Sequence, residues 1–273
     1  MPADHDQHPA HEHIGPDGKV YRRPVAVPVH RHASHPDDEG EHDHVGPDGR
    51  VFRHSHHGNG PRVDAAASAN RRRFAEAGVF VMTLLSNPGA GKTTLLARTL
   101  TELKNRVPMA AVVDDPRTGL DAARLRATGA AVVQAEAATQ SSTGRLDAMA
   151  VGAAADRLGL AEDSVLFIEA APIPAHAAGA DLGETHRILL LPVTEGEDRP
   201  LKHPDLIAAA DLLVVTKTDL LPHLSMDVER LIDHAQRLKP SLAVIALSAT
   251  SGQGLRAWYD WIEDGLAEAR AGR

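Results

Sequence analysis

The 273-residue chain contains no cysteine. Disulfides and thiolate metal sites are thereby excluded, and histidine and carboxylate are left as its strong metal ligands. Aromatic residues make up only 3% of the sequence, so a core has to be built from Leu, Val, Ile and Ala. No run of 18 apolar residues occurs, and the first residues lack the apolar segment of a signal peptide. The expectation is a soluble cytoplasmic protein without a membrane partner. An excess of positive charge is missing too. The formal net charge of −8 argues against nucleic acid as a partner.

What is present begins with the apolar run Val79–Leu85, followed directly by Ser86-Asn87-Pro88-Gly89-Ala90-Gly91-Lys92-Thr93-Thr94. A buried strand, a glycine-containing turn ending in Gly-Lys-Thr-Thr, and then Leu95, Leu96, Leu100 and Leu103 at helical spacing form the context of a phosphate-binding P-loop. Backbone N–H groups of Asn87 to Thr94 would converge on the β-phosphate. The Lys92 ammonium would reach the β/γ oxygens, and the Thr93 hydroxyl would enter the shell of a Mg²⁺ ion. The first glycine of the usual pattern is replaced by Ser86, a small residue that can serve at that turn.

The base is read further on. The apolar stretch Ala210–Val215 ends in Thr216-Lys217-Thr218-Asp219. In such an element the Asp219 carboxylate accepts from guanine N1–H and its 2-amino group, while the Lys217 stem lies along the base. Adenine offers no matching donors, and the carboxylate would be left unpaired. A second strand, Leu242–Leu247, runs into Ser248-Ala249-Thr250, the place for a backbone N–H directed at guanine O6. Three elements in this order, each after a strand, point to GTP.

Composition changes sharply at about residue 62. Twelve of the 17 histidines lie before it: His5, His8, His11, His13, His30, His32, His35, His42, His44, His54, His56 and His57. This tail, residues 1–62, has little apolar periodicity and is expected to be largely disordered without metal. It contains a repeat. His11-Glu12-His13-Ile14-Gly15-Pro16-Asp17-Gly18-Lys19-Val20-Tyr21-Arg22 recurs 31 residues on as His42-Asp43-His44-Val45-Gly46-Pro47-Asp48-Gly49-Arg50-Val51-Phe52-Arg53. Each His-x-His sets two imidazoles on one side of an extended segment, and nearby His and Asp/Glu can complete a shell for Ni²⁺, Zn²⁺, Co²⁺ or Cu²⁺. Imidazole is mostly neutral near pH 7 and releases metal on acidification.

Residues 63–273 alternate strand and helix. A helix through Ala69–Phe74 precedes the P-loop strand; strands follow at 109–113, 130–133, 165–169 and 187–193, with helices at 120–128, 146–158, 227–238 and 255–269. The expected class is α/β, a mostly parallel sheet with helices on both faces and nucleotide at the strand C-terminal edge.

Two further stretches carry a specific resemblance: Ala180-Asp181-Leu182-Gly183-Glu184-Thr185-His186 and Val193-Thr194-Glu195-Gly196-Glu197-Asp198-Arg199-Pro200-Leu201-Lys202-His203-Pro204. With Ala69-Asn70-Arg71, Asp219-Leu220-Leu221-Pro222 and Ser248-Ala249-Thr250-Ser251-Gly252, they resemble the hydrogenase nickel-incorporation GTPases, the HypB family, over about residues 69–265. The resemblance implies a P-loop GTPase that dimerises with GTP. It implies work with a maturation partner to deliver nickel to the NiFe hydrogenase large-subunit precursor. A His-rich extension is that family's nickel store.

Carried across, Asp115 matches the switch I acidic residue and Thr118 the switch threonine. Asp115 would orient water or link to Mg²⁺, and Glu169 would bind Mg²⁺ through water. Two departures stand out. The family's Glu-Asn-x-Gly is here Glu169-Ala170-Ala171-Pro172, and Pro172 has no N–H for the γ-phosphate. The family's Cys-His pair falls on Gly144-Arg145 and its later Cys on His176, so the intersubunit metal site is not expected here.

The expected activity is therefore GTP hydrolysis with slow intrinsic turnover, coupled to nickel storage and delivery, with Lys92, Asp115 and Glu169 catalytic and Thr93, Asp115 and Glu169 around Mg²⁺. His11, His13, His30, His32, His42, His44, His54, His56 and His57 are the expected nickel ligands, with zinc as an alternative ion. Two other readings stay open: a nickel-buffering protein with a slow G domain, and a maturation GTPase for another metalloenzyme such as urease.

Overall fold

The computed structural model describes residues 12–14, 20–22, 42–45, 51–54, 61–114, 119–135, 146–170 and 180–273. The chain separates into two units, Met1–His57 and Gly58–Arg273. In the first, β1 (Glu12–Ile14) pairs antiparallel with β2 (Val20–Arg22), and β3 (His42–Val45) with β4 (Val51–His54). Each copy of the repeat thus supplies one two-stranded pair, with its Gly-Pro-Asp-Gly between the strands. The register sets Ile14 opposite Val20 and His42 opposite His54.

The second unit opens with α1 (Pro61–Glu76), β5 (Phe80–Ser86), α2 (Lys92–Leu103), β6 (Met109–Val113), α3 (Leu120–Arg126) and β7 (Ala131–Gln134). It continues through α4 (Ala148–Leu158), β8 (Val165–Glu169), β9 (His186–Pro192), α5 (Arg199–Lys202), α6 (Pro204–Ala209) and β10 (Leu212–Thr216). It closes with α7 (Val228–Leu238), β11 (Ala243–Ala246) and α8 (Leu255–Ala271). Seven strands form one sheet in the order β11-β10-β9-β5-β8-β6-β7, every pairing parallel.

Side-chain alternation along β5 explains why the sheet is covered twice. Phe80, Met82 and Leu84 pack with Leu95, Leu100, Trp258 and Ile262 of α2 and α8. Val81 points the other way, to Phe74 of α1 and Val151 of α4. Leu85 joins a third cluster with Ile207 and Leu231 of α6 and α7. A strand buried on both faces reads as a continuous apolar run, which is how Val79–Leu85 appears in the sequence.

The helices α5 and α6 were not anticipated. Each has a proline within its first two residues, Pro200 and Pro204. Proline breaks a helix interior but suits a first turn, where its missing N–H has no partner to lose. Helix α4 starts where Asp147 accepts the Ala150 N–H at 2.8 Å, an N-cap that shortens the expected 146–158 helix to Ala148–Leu158.

Candidate functional site

Because β5 is central, the turn after Ser86 lies at the C-terminal edge of the sheet, beside the ends of β8 and, one strand further, β10. Gly91 caps α2 with φ of 96°, a left-handed conformation that costs glycine least. The turn and first helical residues, Pro88 to Thr94, wall a cleft of about 500 Å³. Val113, Asp114, Asp121, Arg124, Glu169, Ala170 and Lys217 complete its lining.

Lys92 is buried, and its Nζ donates to Ser86 Oγ at 2.8 Å. Ser86 Oγ in turn donates to the Asn87 carbonyl at 2.8 Å. The serine in place of the usual glycine is therefore an acceptor for the P-loop ammonium. Burial pushes the Lys92 ammonium below its ordinary value of 10.5, with the Glu169 and Asp121 carboxylates acting in the opposite sense. Thr93 Oγ1 donates to Glu169 Oε1 at 2.5 Å, and Glu169 is 4% exposed. A hydroxyl and a buried carboxylate meeting beside a lysine, with Asp114 on the same wall, form an oxygen-donor set suited to a hard cation such as Mg²⁺.

A smaller cavity adjoins. Ala90, Gly91, Thr94 and Leu95 form one side, and Thr216, Lys217, Asp219, Ala249 and Thr250 the other. Lys217 adopts φ of 62°, unusual for a residue with a Cβ, as the chain leaves β10 into a 3-10 turn carrying Asp219. Thr216 Oγ1 donates to the Ala90 carbonyl at 2.8 Å, tying the two motifs together. The Ser248 hydroxyl accepts from the N–H groups of Thr250 and Ser251 at 3.2 and 3.0 Å, which folds the loop tightly.

Sequences of known proteins agree with this arrangement. Residues 80–246 match the model described as CobW/HypB/UreG, nucleotide-binding domain. The chain belongs to this family. A hydrogenase maturation factor HypB from Azotobacter vinelandii is 48% identical over 203 residues, covering 73% of this chain and 65% of that protein. Two solved structures superpose with TM-scores of 0.67: a hydrogenase maturation factor HypB from Archaeoglobus fulgidus, 28% identical, and HypB from Helicobacter pylori in complex with nickel, 27% identical. They cover 75% and 76% of this chain, and 98% and 96% of their own.

Set against this P-loop GTPase family, the expected site residues fall into four groups. Pro88, Gly89, Ala90, Gly91, Lys92, Thr93, Thr94, Glu169, Lys217, Asp219 and Ala249 wall the two cavities. Asn87 and Ser248 wall neither. The Asn87 amide donates to Glu195 Oε2 at 2.8 Å, and Ser248 is fully buried under its own loop. Asp115, Thr118, Gly144, Arg145, Pro172 and His176 lie outside the described residues, as do His11, His30, His32, His56 and His57. His13, His42, His44 and His54 lie in β1, β3 and β4. Among the described residues no three His, Asp or Glu are grouped as a metal site.

Asp114, Asp121 and Arg124 on the cleft wall were missed. Asp114 directly precedes the expected Asp115, while Asp121 and Arg124 sit three apart on α3 and carry no motif of their own. Glu195 was also missed as a contact. Its Oε2 accepts from Asn87 and pairs with Arg199 Nε, each at 2.8 Å. That carboxylate gives the Val193-Thr194-Glu195 signature a physical role: it braces the P-loop from the side of β9.

The other signature is a clasp. Asn70 Nδ2 donates to the carbonyls of Ala148 at 2.7 Å and Leu182 at 3.0 Å, and Arg71 to Asp181 at 2.6 Å. Gly183, at φ of 86°, lies so close to α1 that a Cβ would fall 2.6 Å from both the Ala67 carbonyl and Asn70 Cβ. The resemblance therefore rests partly on residues that fasten α1 rather than on chemistry.

Proposed function

We propose that the chain is a GTP-hydrolysing maturation factor that stores nickel and assists its insertion into the NiFe hydrogenase large subunit. The observation that carries the reading is the convergence of Lys92, the Thr93–Glu169 pair and Asp219 on two adjoining cavities at one sheet edge. The hydrogenase connection comes from its relatives, which are hydrogenase maturation factors. Asp219 and Lys217 hold guanine, the P-loop amides hold the β-phosphate, and Lys92 lies along the β/γ oxygens. Thr93 and Glu169 would hold Mg²⁺, which would neutralise phosphate charge when bound. Asp115 orients the water that attacks the γ-phosphorus in line, releasing GDP and phosphate; Lys92 and the loop N–H groups stabilise charge on the transferred group. Residues 1–62 form the nickel store, and residues 63–273 the GTPase. The protein works in the cytoplasm as a GTP-dependent homodimer, handing nickel on with a maturation partner.

Pro172 favours a second reading, nickel buffering with slow turnover, because it removes an N–H from the expected switch. GTPase rates with and without Ni²⁺, beside Ni²⁺ titrations of full-length and residue 1–60-deleted protein, decide between them. The main reading expects turnover in single-turnover assays, faster in Pro172→Gly, and loss of multi-site nickel binding on deletion with GTP affinity intact. Nickel binding should fall as pH drops through the histidine range, because protons compete for the same nitrogens. A truncated protein that keeps a tight stoichiometric nickel site would overturn the assignment of metal to the tail.

A further inference from the structure

Arg98 lies two turns into α2, the helix whose first residue is Lys92. Its Nη1 donates to the carbonyl of Ala249 at 2.9 Å and to that of Thr250 at 3.1 Å. Its Nε donates to Glu102 Oε1 at 2.7 Å, one turn further along the same face. A guanidinium is suited to this, since its planar fork can serve two carbonyls and a carboxylate at once. Both carbonyls belong to the loop that walls the smaller cavity beside Lys217 and Asp219.

The rest of that loop is accounted for. The Ser248 N–H donates to the Gln253 carbonyl at 2.8 Å, and those of Thr250 and Ser251 to Ser248 Oγ. Among the described residues, the Ala249 N–H is the amide of this turn left without an acceptor. The Arg98 contacts fix the peptide planes on its C-terminal side, so they set the orientation of the turn to which that amide belongs.

We infer that Arg98 is a positioning residue for base selection: it holds the Ser248–Ser251 turn so that the Ala249 N–H meets the six-position oxygen of a guanine seated against Asp219. The inference rests on the GTP reading and adds to it the residue that holds the six-position contact in place, apart from Asp219. Adenine carries an amino group at that position, which would set donor against donor. It also gives one rigid element both jobs. Helix α2 begins at the phosphate lysine and, about 9 Å along its axis, fixes the base loop.

The test is nucleotide competition in the full-length protein with GTP, 6-thio-GTP and ITP. The thio analogue keeps N1–H and the 2-amino group and weakens only the six-position acceptor. ITP lacks the 2-amino group that Asp219 reads. Arg98→Ala should reduce the preference for GTP over 6-thio-GTP about tenfold and leave the preference over ITP unchanged; Arg98→Lys, with one compact donor group, should recover part of it. Gly252→Ala is an independent second variant, because its Cβ would approach Arg98 Nη2 to 3.1 Å at a φ of 91°. It should cause the same selective loss. If the variants fold and all keep the wild-type ratio of GTP to 6-thio-GTP, the inference is overturned, as it is if wild type shows no such preference. Wild type that fails to prefer GTP over ITP would instead overturn the guanine reading itself, and this inference with it.

Discussion

Thr93 Oγ1 donates to Glu169 Oε1 at 2.5 Å, joining the first turn of α2 to the end of β8. The two strands β5 and β8 are neighbours in register, Leu84 opposite Glu169, so the sheet itself sets this separation. Rigid secondary structure on both sides holds a hydroxyl and a carboxylate where a divalent ion on a nucleotide would need them.

Glu169→Gln keeps the shape of this pair and removes its charge. GTP affinity in the presence of Mg²⁺ is expected to fall by roughly 10- to 100-fold, the scale of about 1.5–3 kcal/mol for a charged contact. In excess EDTA the variant and wild type should bind alike. Equal losses with and without Mg²⁺ would mean that Glu169 serves the fold and not the ion.

Lys92→Met separates ligand binding from stability. The Lys92 ammonium is held below 10.5 mainly by burial, so between its folded value and about 10.5 the unfolded chain binds more protons. Stability should therefore rise as pH climbs through that window in wild type, and the rise should be weaker in the variant. At neutral pH the nucleotide-free variant is expected to melt no lower than wild type. Nucleotide at a hundred times its Kd adds about 2.7 kcal/mol to wild type by mass action; the variant should gain none. Thermal melts with and without GTP would measure both effects.

Much of this site was legible because its signals are local. A buried strand, a Gly-Lys-Thr turn and a helix from Lys92 are contiguous, and Thr216–Asp219 directly follows β10. Neighbouring residues could not reveal that β5 sits between β8 and β9, because strand order depends on crossovers. The same holds for contacts across long separations, such as Asn87 with Glu195 and Arg98 with Ala249. The Glu195 and Gly183 signatures were visible as letters. Their work, bracing a loop and admitting a helix, appears only when the chain is folded.

Asp219→Asn addresses the base. Replacing an acceptor-only carboxylate by an amide puts a donor against guanine, and GTP binding should weaken by about 1–3 kcal/mol. Xanthine, with an oxygen where guanine has its 2-amino group, should gain in the same variant. Competition with GTP, ATP and XTP reads this directly. Wild type that prefers ATP would contradict the assignment of the smaller cavity.

The clasp on α1 gives the last prediction. Gly183→Ala adds a Cβ 2.6 Å from both a backbone carbonyl and Asn70 Cβ, at a left-handed φ. Strain and overlap together should cost about 2 kcal/mol or more in urea unfolding, without changing GTP affinity. Asp181 in the same loop is pushed up by burial, but hydrogen bonds from Arg71 and the Gly183 N–H pull it further down, to a net position below its ordinary 3.8. A depressed carboxylate stabilises above the unfolded value and loses that contribution as pH falls through the folded one. Asp181→Asn should therefore lower the melting temperature at pH about 6 and have no effect once the pH lies below the folded value, where the wild-type carboxyl is protonated too. A difference that persisted unchanged into strong acid would show that Asp181 acts through shape and not through its charge on Arg71.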